Sequence, residues 1–290
     1  MNGEKTEQWV DLHVHTNFSD GLLTPTQVVT QAKEQRLSAV GIVDHDTIDG
    51  IAEAVEAGNA CGVEIVPGVE LSSQHEGREI HIIAYYFDPN HPRFKEYLEK
   101  FRQERFKRAA KMIENLNHIG IRLTVEEVAE RSRGRNIGRP HLAEVLMEKG
   151  YVETFQEAFQ RYIGYGSKAY EEKFRIKPEE AIRLIADARG LSFLAHPGYM
   201  ITEDMIHHLI KAGLDGIEIM HPHLSESRSR QLRQIASEQG LLMSGGSDCH
   251  GGREGFVAIG HQPVPYTLLE NMRHALLIRW DVNWEQFWPE

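Results

Sequence analysis

Cysteine is nearly missing from this 290-residue chain: Cys61 and Cys249 are the only two. Two thiols build no disulfide framework and suit a reducing compartment. Long apolar runs are also missing, which excludes a membrane-spanning helix, and the opening MNGEKTEQW is too polar for a secretory signal. A cytoplasmic location is therefore expected, with no membrane partner. Positive charge is in deficit, with 32 Lys and Arg against 43 Asp and Glu and a net charge of −11, so the surface as a whole will not bind duplex DNA non-specifically. There is no Walker A loop, no G-x-S-x-G elbow and no dinucleotide fingerprint, which leaves kinase, serine hydrolase and dehydrogenase readings without support. Internal repeats and low-complexity tracts are absent too.

What is present is an alternation of strand-like and helical segments. Apolar strand-like runs fall at 10–14, 39–43, 64–66, 80–85, 192–195, 216–219, 241–244 and 256–259. Thr24-Pro25-Thr26-Gln27 reads as the start of the first helix, with Thr24 as N-cap and Gln27 completing a capping box. Such alternation predicts an α/β fold with a mostly parallel sheet, open or closed into a barrel. From 90 to 177 the strand signal lapses and helices are expected, the longest from about Phe94 to Ile119. That stretch carries 19 Lys and Arg against 13 Asp and Glu, whereas the remainder has 13 against 30. The sequence thus predicts a first barrel part over 1–89, a basic helical insertion or cap over 90–177, and a second barrel part over 178–290.

The residues at the strand ends carry the chemistry. On an extended strand His13 and His15 of DLHVHT point to one side, placed for a chelate. Asp44-His45-Asp46 follows the second strand, Pro67-Gly68-Val69-Glu70 the third, and His81 lies within the fourth. After the insertion come Ala195-His196-Pro197, Glu218 with His221, and Ser247-Asp248-Cys249-His250. In parallel α/β folds the carboxyl ends of the strands form the ligand-binding side, so these imidazoles and carboxylates should converge. Cys249, between two of them, should turn its thiol away into packing.

The set DLHVHT, SDG, DHDT, PGVE, HIIAY, AHP and SDCH resembles the motif series of the polymerase and histidinol phosphatase (PHP) superfamily, in the same order from Asp11 to His250. The resemblance implies a distorted (β/α)7 barrel with two to three divalent ions, Mn, Zn or Fe. It implies one ion on His13, His15, Glu70 and Asp248, a second on Glu70, His81 and His196, and a third on Asp20, His45 and His250. Asp20 stands where several relatives carry histidine, which makes that third site harder. Asp44 and Asp46 are candidates to orient imidazoles, with ordinary strand-end or cap roles as the alternative. Glu218 and His221 have no assigned role.

Within the superfamily, Asn136-Ile-Gly-Arg139-Pro140-His141 and Gly166-Ser-Lys168-Ala-Tyr170 resemble the subfamily acting on nucleoside 3′,5′-bisphosphates and on the 5′ end of short RNA. The resemblance implies a metal-dependent phosphoesterase in which a metal-bound hydroxide attacks phosphorus, with no side-chain nucleophile. Arg139 would take a phosphate, aided by His141, and Lys168 and Tyr170 are further substrate candidates. The expected partner is a nucleotide or a short RNA 5′ end. Alternatives are a 5′–3′ exoribonuclease, a histidinol-phosphate or nucleoside-monophosphate phosphatase, or a metal-stabilised binding scaffold. Trp280, Trp284 and Trp288 are spaced as a helical stripe that would pack back on the barrel or make a dimer contact.

Overall fold

The computed structural model describes residues 7–132, 137–252, 256–262, 264–281 and 287–288. In chain order the elements begin β1 (Trp9–Val14), α1 (Pro25–Glu34), β2 (Ala39–Ile42), α2 (Ile51–Cys61), β3 (Glu64–His75) and β4 (Arg78–Tyr85). Four helices follow: α3 (Pro92–His118), α4 (Val125–Ser132), α5 (Arg139–Glu148) and α6 (Phe155–Ala158), the last running into a π-turn at Phe159–Ile163. The chain then returns to alternation with α7 (Pro178–Asp187), β5 (Leu191–Leu194), α8 (Glu203–Lys211), β6 (Gly216–Met220), α9 (Glu226–Gln239), β7 (Leu242–Gly245), β8 (Val264–Pro265) and α10 (Tyr266–Trp280). Two compact units result, one of residues 1–95 with 176–290 and one of residues 96–175.

The first unit is a mixed sheet of order β7-β6-β5-β4-β3-β2-β1-β8, nearly closed into a barrel. Its strands are parallel except where β4 joins β3 and β5, and where β8 joins β1. The two-residue turn between β3 and β4, Glu76-Gly77, has φ of 48° and 79°, the left-handed backbone that tight hairpins need. β3 changes partner along its length: Glu64 to Pro67 pair with β2, and Gly68 to His75 with β4. Glu70 therefore lies inside a strand rather than after one. The expected strand at 256–259 is absent; Phe256–Ile259 is irregular, and β8 comes later, against Trp9 and Val10.

Closure is made by the segment after β7. The Asp248 N–H donates to His13 O at 2.8 Å and the His15 N–H to Cys249 O at 3.0 Å, so residues 248 and 249 flank β1 where another strand would lie. Buried Asp11 fastens the joint, accepting from the Ser247 and Gly260 N–H groups, each at 2.9 Å. Gly246 is required here, since a Cβ would sit 2.4 Å from the His13 backbone nitrogen. Val14, on the face opposite His13 and His15, packs with Val28, Val29 and Ala32 of α1 and with Cys249. The start of α1 is fixed as its sequence implies, with Thr24 and Gln27 exchanging side chain to backbone bonds.

The second unit is helical around a core that includes Met112, Leu116, Leu142, Leu146 and Ile163. The proposed tryptophan stripe does not form on one helix, because α10 ends at Trp280 with Asp281 in left-handed backbone (φ 50°). Trp288 instead packs edge to face on Phe87 and donates its indole N–H to Phe87 O at 2.8 Å. Trp284 lies outside the described residues. No described helix is long and apolar enough to cross a membrane.

Candidate metal centre

All nine predicted histidines and carboxylates converge in one region of the barrel unit, Glu70 and His81 from within β3 and β4 and the others from strand ends or the turns after them. His13 and His15, fully buried on one face of β1, place their Nε2 atoms 3.1 Å apart. Glu70 Oε2 lies 3.5 Å from His13 Nε2 and 3.3 Å from His15 Nε2; Asp248 Oδ1 lies 3.3 and 3.1 Å from the same two atoms. Donors held at about 2.0 to 2.1 Å around a tetrahedral ion sit roughly 3.3 Å apart, so each carboxylate oxygen lies at such an edge length from both imidazole nitrogens, and His13, His15 and Glu70 can hold one ion together. The other Glu70 oxygen faces His81 Nδ1 at 2.9 Å and His196 Nε2 at 3.0 Å. In the β3–β4 register Ser72 pairs with His81, which puts Glu70 and His81 diagonally on one face. One carboxylate thereby offers an oxygen to each of two groups, as a bridge does.

A third group forms beside the first. His250 Nε2 lies 3.2 Å from Asp20 Oδ1, and His250 stacks on His15 with ring centroids 4.2 Å apart. His45 stands between groups, with Nδ1 3.0 Å from Glu70 Oε2 and Nε2 3.8 Å from Asp20 Oδ2. His15, Asp20, His45 and His250 can hold one ion together, and His196 can also serve with His13 and Asp248. Two of these residues sit in left-handed backbone, His196 at φ 30° and Asp248 at φ 52°, which costs on the order of 1–3 kcal/mol each. The surrounding bonds must hold that strain.

Glu218 and His221 do much of this holding. Glu218, wholly buried, lies 3.2 Å from His13 Nδ1 through one oxygen and accepts the His196 N–H at 2.6 Å through the other. A carboxylate at Nδ1 makes that nitrogen the proton carrier and leaves the Nε2 lone pair pointing at Glu70 and Asp248. His221 Nδ1 accepts the His223 N–H at 3.1 Å, so its Nε2 proton goes to Asp248 Oδ2 at 3.3 Å, leaving Oδ1 toward His13 and His15. His250 Nδ1 donates to Asp248 O at 2.8 Å, which directs its Nε2 lone pair at Asp20. The Nε2 lone pairs of His13 and His250 thus face carboxylate oxygens, an arrangement that needs cations or protons between them. The donor set fits divalent metal.

The electrostatics agree. Burial alone would lower the basicity of His15, but Asp248 and Glu70 outweigh it and push its pKa up to about 10. His13 is likewise held well above its ordinary value: burial opposes protonation, and Glu218, Asp248 and Glu70 overcome it. Burial would raise Glu70, yet His81, His45 and His13 keep it well below the usual carboxylate range, and Asp20 and Asp248 are held down in the same way. These carboxylates stay charged, and His13 and His15 take up protons in place of metal.

Asp44 and Asp46 brace loops. Asp44 accepts from Thr16 N–H, Thr16 Oγ1 and Ser19 Oγ at 2.5 to 2.7 Å, fixing the turn that carries Asp20. Asp46 accepts from Ser72 N–H and Oγ at 2.8 and 2.7 Å. Cys249 is buried in the apolar cluster with Val14.

In the helical unit, Arg139 opens α5, with Pro140 in its first turn and buried His141 accepting the Gly138 N–H through Nδ1 at 3.0 Å. The Arg139 guanidinium lies over the rings of Phe159 and Tyr170, at 5.3 and 5.9 Å from their centroids, and Arg108 also approaches Tyr170. Burial, together with the charges of Arg139 and Arg105, pulls the Arg108 pKa down to about 10, the mark of crowded cations. Lys168 is exposed. Asn136 lies outside the described residues.

Comparison with known proteins gives a consistent picture. The PHP domain family matches residues 11–195. A 5′-3′ exoribonuclease of Haemophilus influenzae is 36% identical over 83% of this chain and 89% of its own length. A 3′,5′-nucleoside bisphosphate phosphatase of Chromobacterium violaceum is 32% identical over 87% of this chain and 90% of its own length. A crystal structure from Bifidobacterium adolescentis, assigned as a metal-dependent phosphoesterase, superposes with a TM-score of 0.84 at 30% identity, covering 93% of this chain and 96% of that one.

Proposed function

The chain belongs to the PHP domain family, and from that premise we propose that it cleaves the 3′ phosphate ester of a 5′-phosphorylated nucleoside, with a nucleoside 3′,5′-bisphosphate as the preferred substrate. It is a metal-dependent phosphoesterase. The two differently named relatives share one chemistry. A 3′,5′-bisphosphate and the 5′ end of an RNA both present a 5′-phosphorylated nucleoside whose 3′ oxygen is esterified. Hydrolysis of that ester yields the 5′-monophosphate from either, so trimming of short RNA is the second reading of the same site.

We assign one ion to His13, His15, Glu70 and Asp248, one to Glu70, His81 and His196, and one to Asp20, His45 and His250. Ions bound there supply Lewis acidity, acidifying a water and neutralising charge on the transferring phosphoryl group. The protein's own part is positioning. Glu70 presents one oxygen to each of two groups, Glu218 sets the tautomer of His13, His221 turns Asp248 Oδ1 toward the β1 histidines, and Asp44 holds the loop of Asp20. The mixed nitrogen and oxygen donors suit Mn, Zn or Fe.

The observation that carries the substrate reading is the cationic group of Arg105, Arg108 and Arg139, the last two over the ring of Tyr170. An acidic barrel unit gains from a separate basic element chiefly when the substrate has a second phosphate besides the reacting one. Arg139 would hold that phosphate by charge-assisted bonds of about 1.5–3 kcal/mol, on the order of 10- to 100-fold in kcat/KM. His141, Lys168 and Tyr170 are proposed to complete the contact. The test is Arg139→Ala assayed on the bisphosphate and on the nucleoside 3′-monophosphate, which keeps the reacting ester and lacks the second phosphate. The preference for bisphosphate should collapse while metal content stays intact, and wild-type preference should weaken as salt rises. A preference untouched by the substitution would sink this reading.

A further inference from the structure

The geometry points to a second metal site, apart from the cluster around Glu70: His75, Glu179 and His208 bind a single divalent ion of the zinc class. Glu70 and His75 share β3, yet they are five residues apart, roughly 16 Å along a strand, and an odd separation puts them on opposite faces. His75 therefore cannot reach the main centre. The chain assembles its three donors by a different route. The Gln74 N–H donates to Ile176 O at 2.9 Å and Ser73 bridges to Ile176, which lays the segment before α7 along the far end of β3. Three residues after Ile176, Glu179 in the first turn of α7 meets His75, and His208 in the last turn of α8 meets Glu179.

The donors converge. His75 Nδ1 lies 3.7 Å from Glu179 Oε1, His208 Nε2 bonds to that same oxygen, and the three ligand atoms all lie within 4.8 Å of one another. The two imidazole rings are 5.4 Å apart and tilted by 54°, so they approach the carboxylate from different directions rather than stacking. Glu179 Oε2 is buried and has no hydrogen-bond partner among the described residues, an acceptor taken from water without replacement. Two imidazoles with one carboxylate form a donor set that zinc accepts, with water in the fourth position. Closing the shell to roughly 3.3 Å between donors asks little movement, and His208, 48% exposed, is free to supply it. The ion would tie the β3–β4 hairpin to α7 and α8.

Equilibrium dialysis of the full chain against Zn2+, followed by elemental analysis, tests this. His208→Ala and Glu179→Gln should each bind one equivalent fewer than wild type while keeping phosphoesterase activity and the remaining ions. His208→Gln guards against a packing defect and should behave alike. Asp248→Asn should show the reverse, keeping this equivalent while the main centre loses metal. Equal zinc content in wild type and all three variants would overturn the site. Loss of the equivalent together with activity would also overturn it, by assigning the ion to the main centre.

Discussion

At His13 the choice of tautomer belongs to Glu218, which faces Nδ1 at 3.2 Å inside a fully buried pocket. Glu218→Ala should weaken metal affinity by about 10- to 100-fold, the usual cost of losing such an outer carboxylate, with Glu218→Gln milder because an amide oxygen still accepts. Metal titration of chelated protein measures this; unchanged affinity in the alanine variant would contradict it. Asp248→Asn removes a charged donor and should lower kcat by several orders of magnitude on every substrate, together with metal content. Protonation supplies a further check. In chelated protein His15, with its pKa near 10, is protonated at pH 8, and a metal ligand must be neutral. Adding metal at pH 8 should therefore release protons, seen with an indicator dye in weak buffer, and no release would show that the imidazoles are not ligands. Most of the converging residues were legible because they stand at strand ends or in the turns after them; Glu70 and His81, inside β3 and β4, were visible through their motifs. Glu218 and His221 were visible as residues but not as roles, since a tautomer is set by contacts 205 and 27 positions away in sequence.

At the scale of elements, the joint between β1 and residues 246–249 fixes the centre. Gly246→Ala would drive a Cβ to within 2.4 Å of the His13 backbone. The expected result is a loss of about 1–3 kcal/mol in denaturant unfolding, typical of overpacking, with lowered metal content. Unaltered stability and metal content would show that the joint tolerates displacement. Most strands were legible from their apolar runs. The β3–β4 hairpin was not, although Glu76-Gly77 carried its signal, because the half of β3 from Gly68 to His75 is mixed in polarity and reads as a loop. The run at 256–259 misled for the opposite reason: it is apolar, but Val257, Ala258 and Ile259 pack beside α1 without joining the sheet. The tryptophan spacing failed as a helical stripe because Asp281 turns the chain before the second tryptophan.

Over the whole molecule, charge is divided between a basic stretch at 90–177 and an acidic remainder. The excess was countable in the sequence, whereas the grouping of Arg105, Arg108 and Arg139 was not, since α3 and α5 bring together positions more than a helix apart. The i, i+3 spacing of Arg105 and Arg108 was the available hint. Together these features support the proposed reaction, cleavage of the 3′ ester of a 5′-phosphorylated nucleoside at a metal centre. Product analysis on a nucleoside 3′,5′-bisphosphate tests it most directly. Metal-loaded protein should release inorganic phosphate and accumulate the 5′-monophosphate without consuming it further, and chelation should stop both. A 3′-monophosphate product, or equal rates on the bisphosphate and the 5′-monophosphate, would contradict the claim.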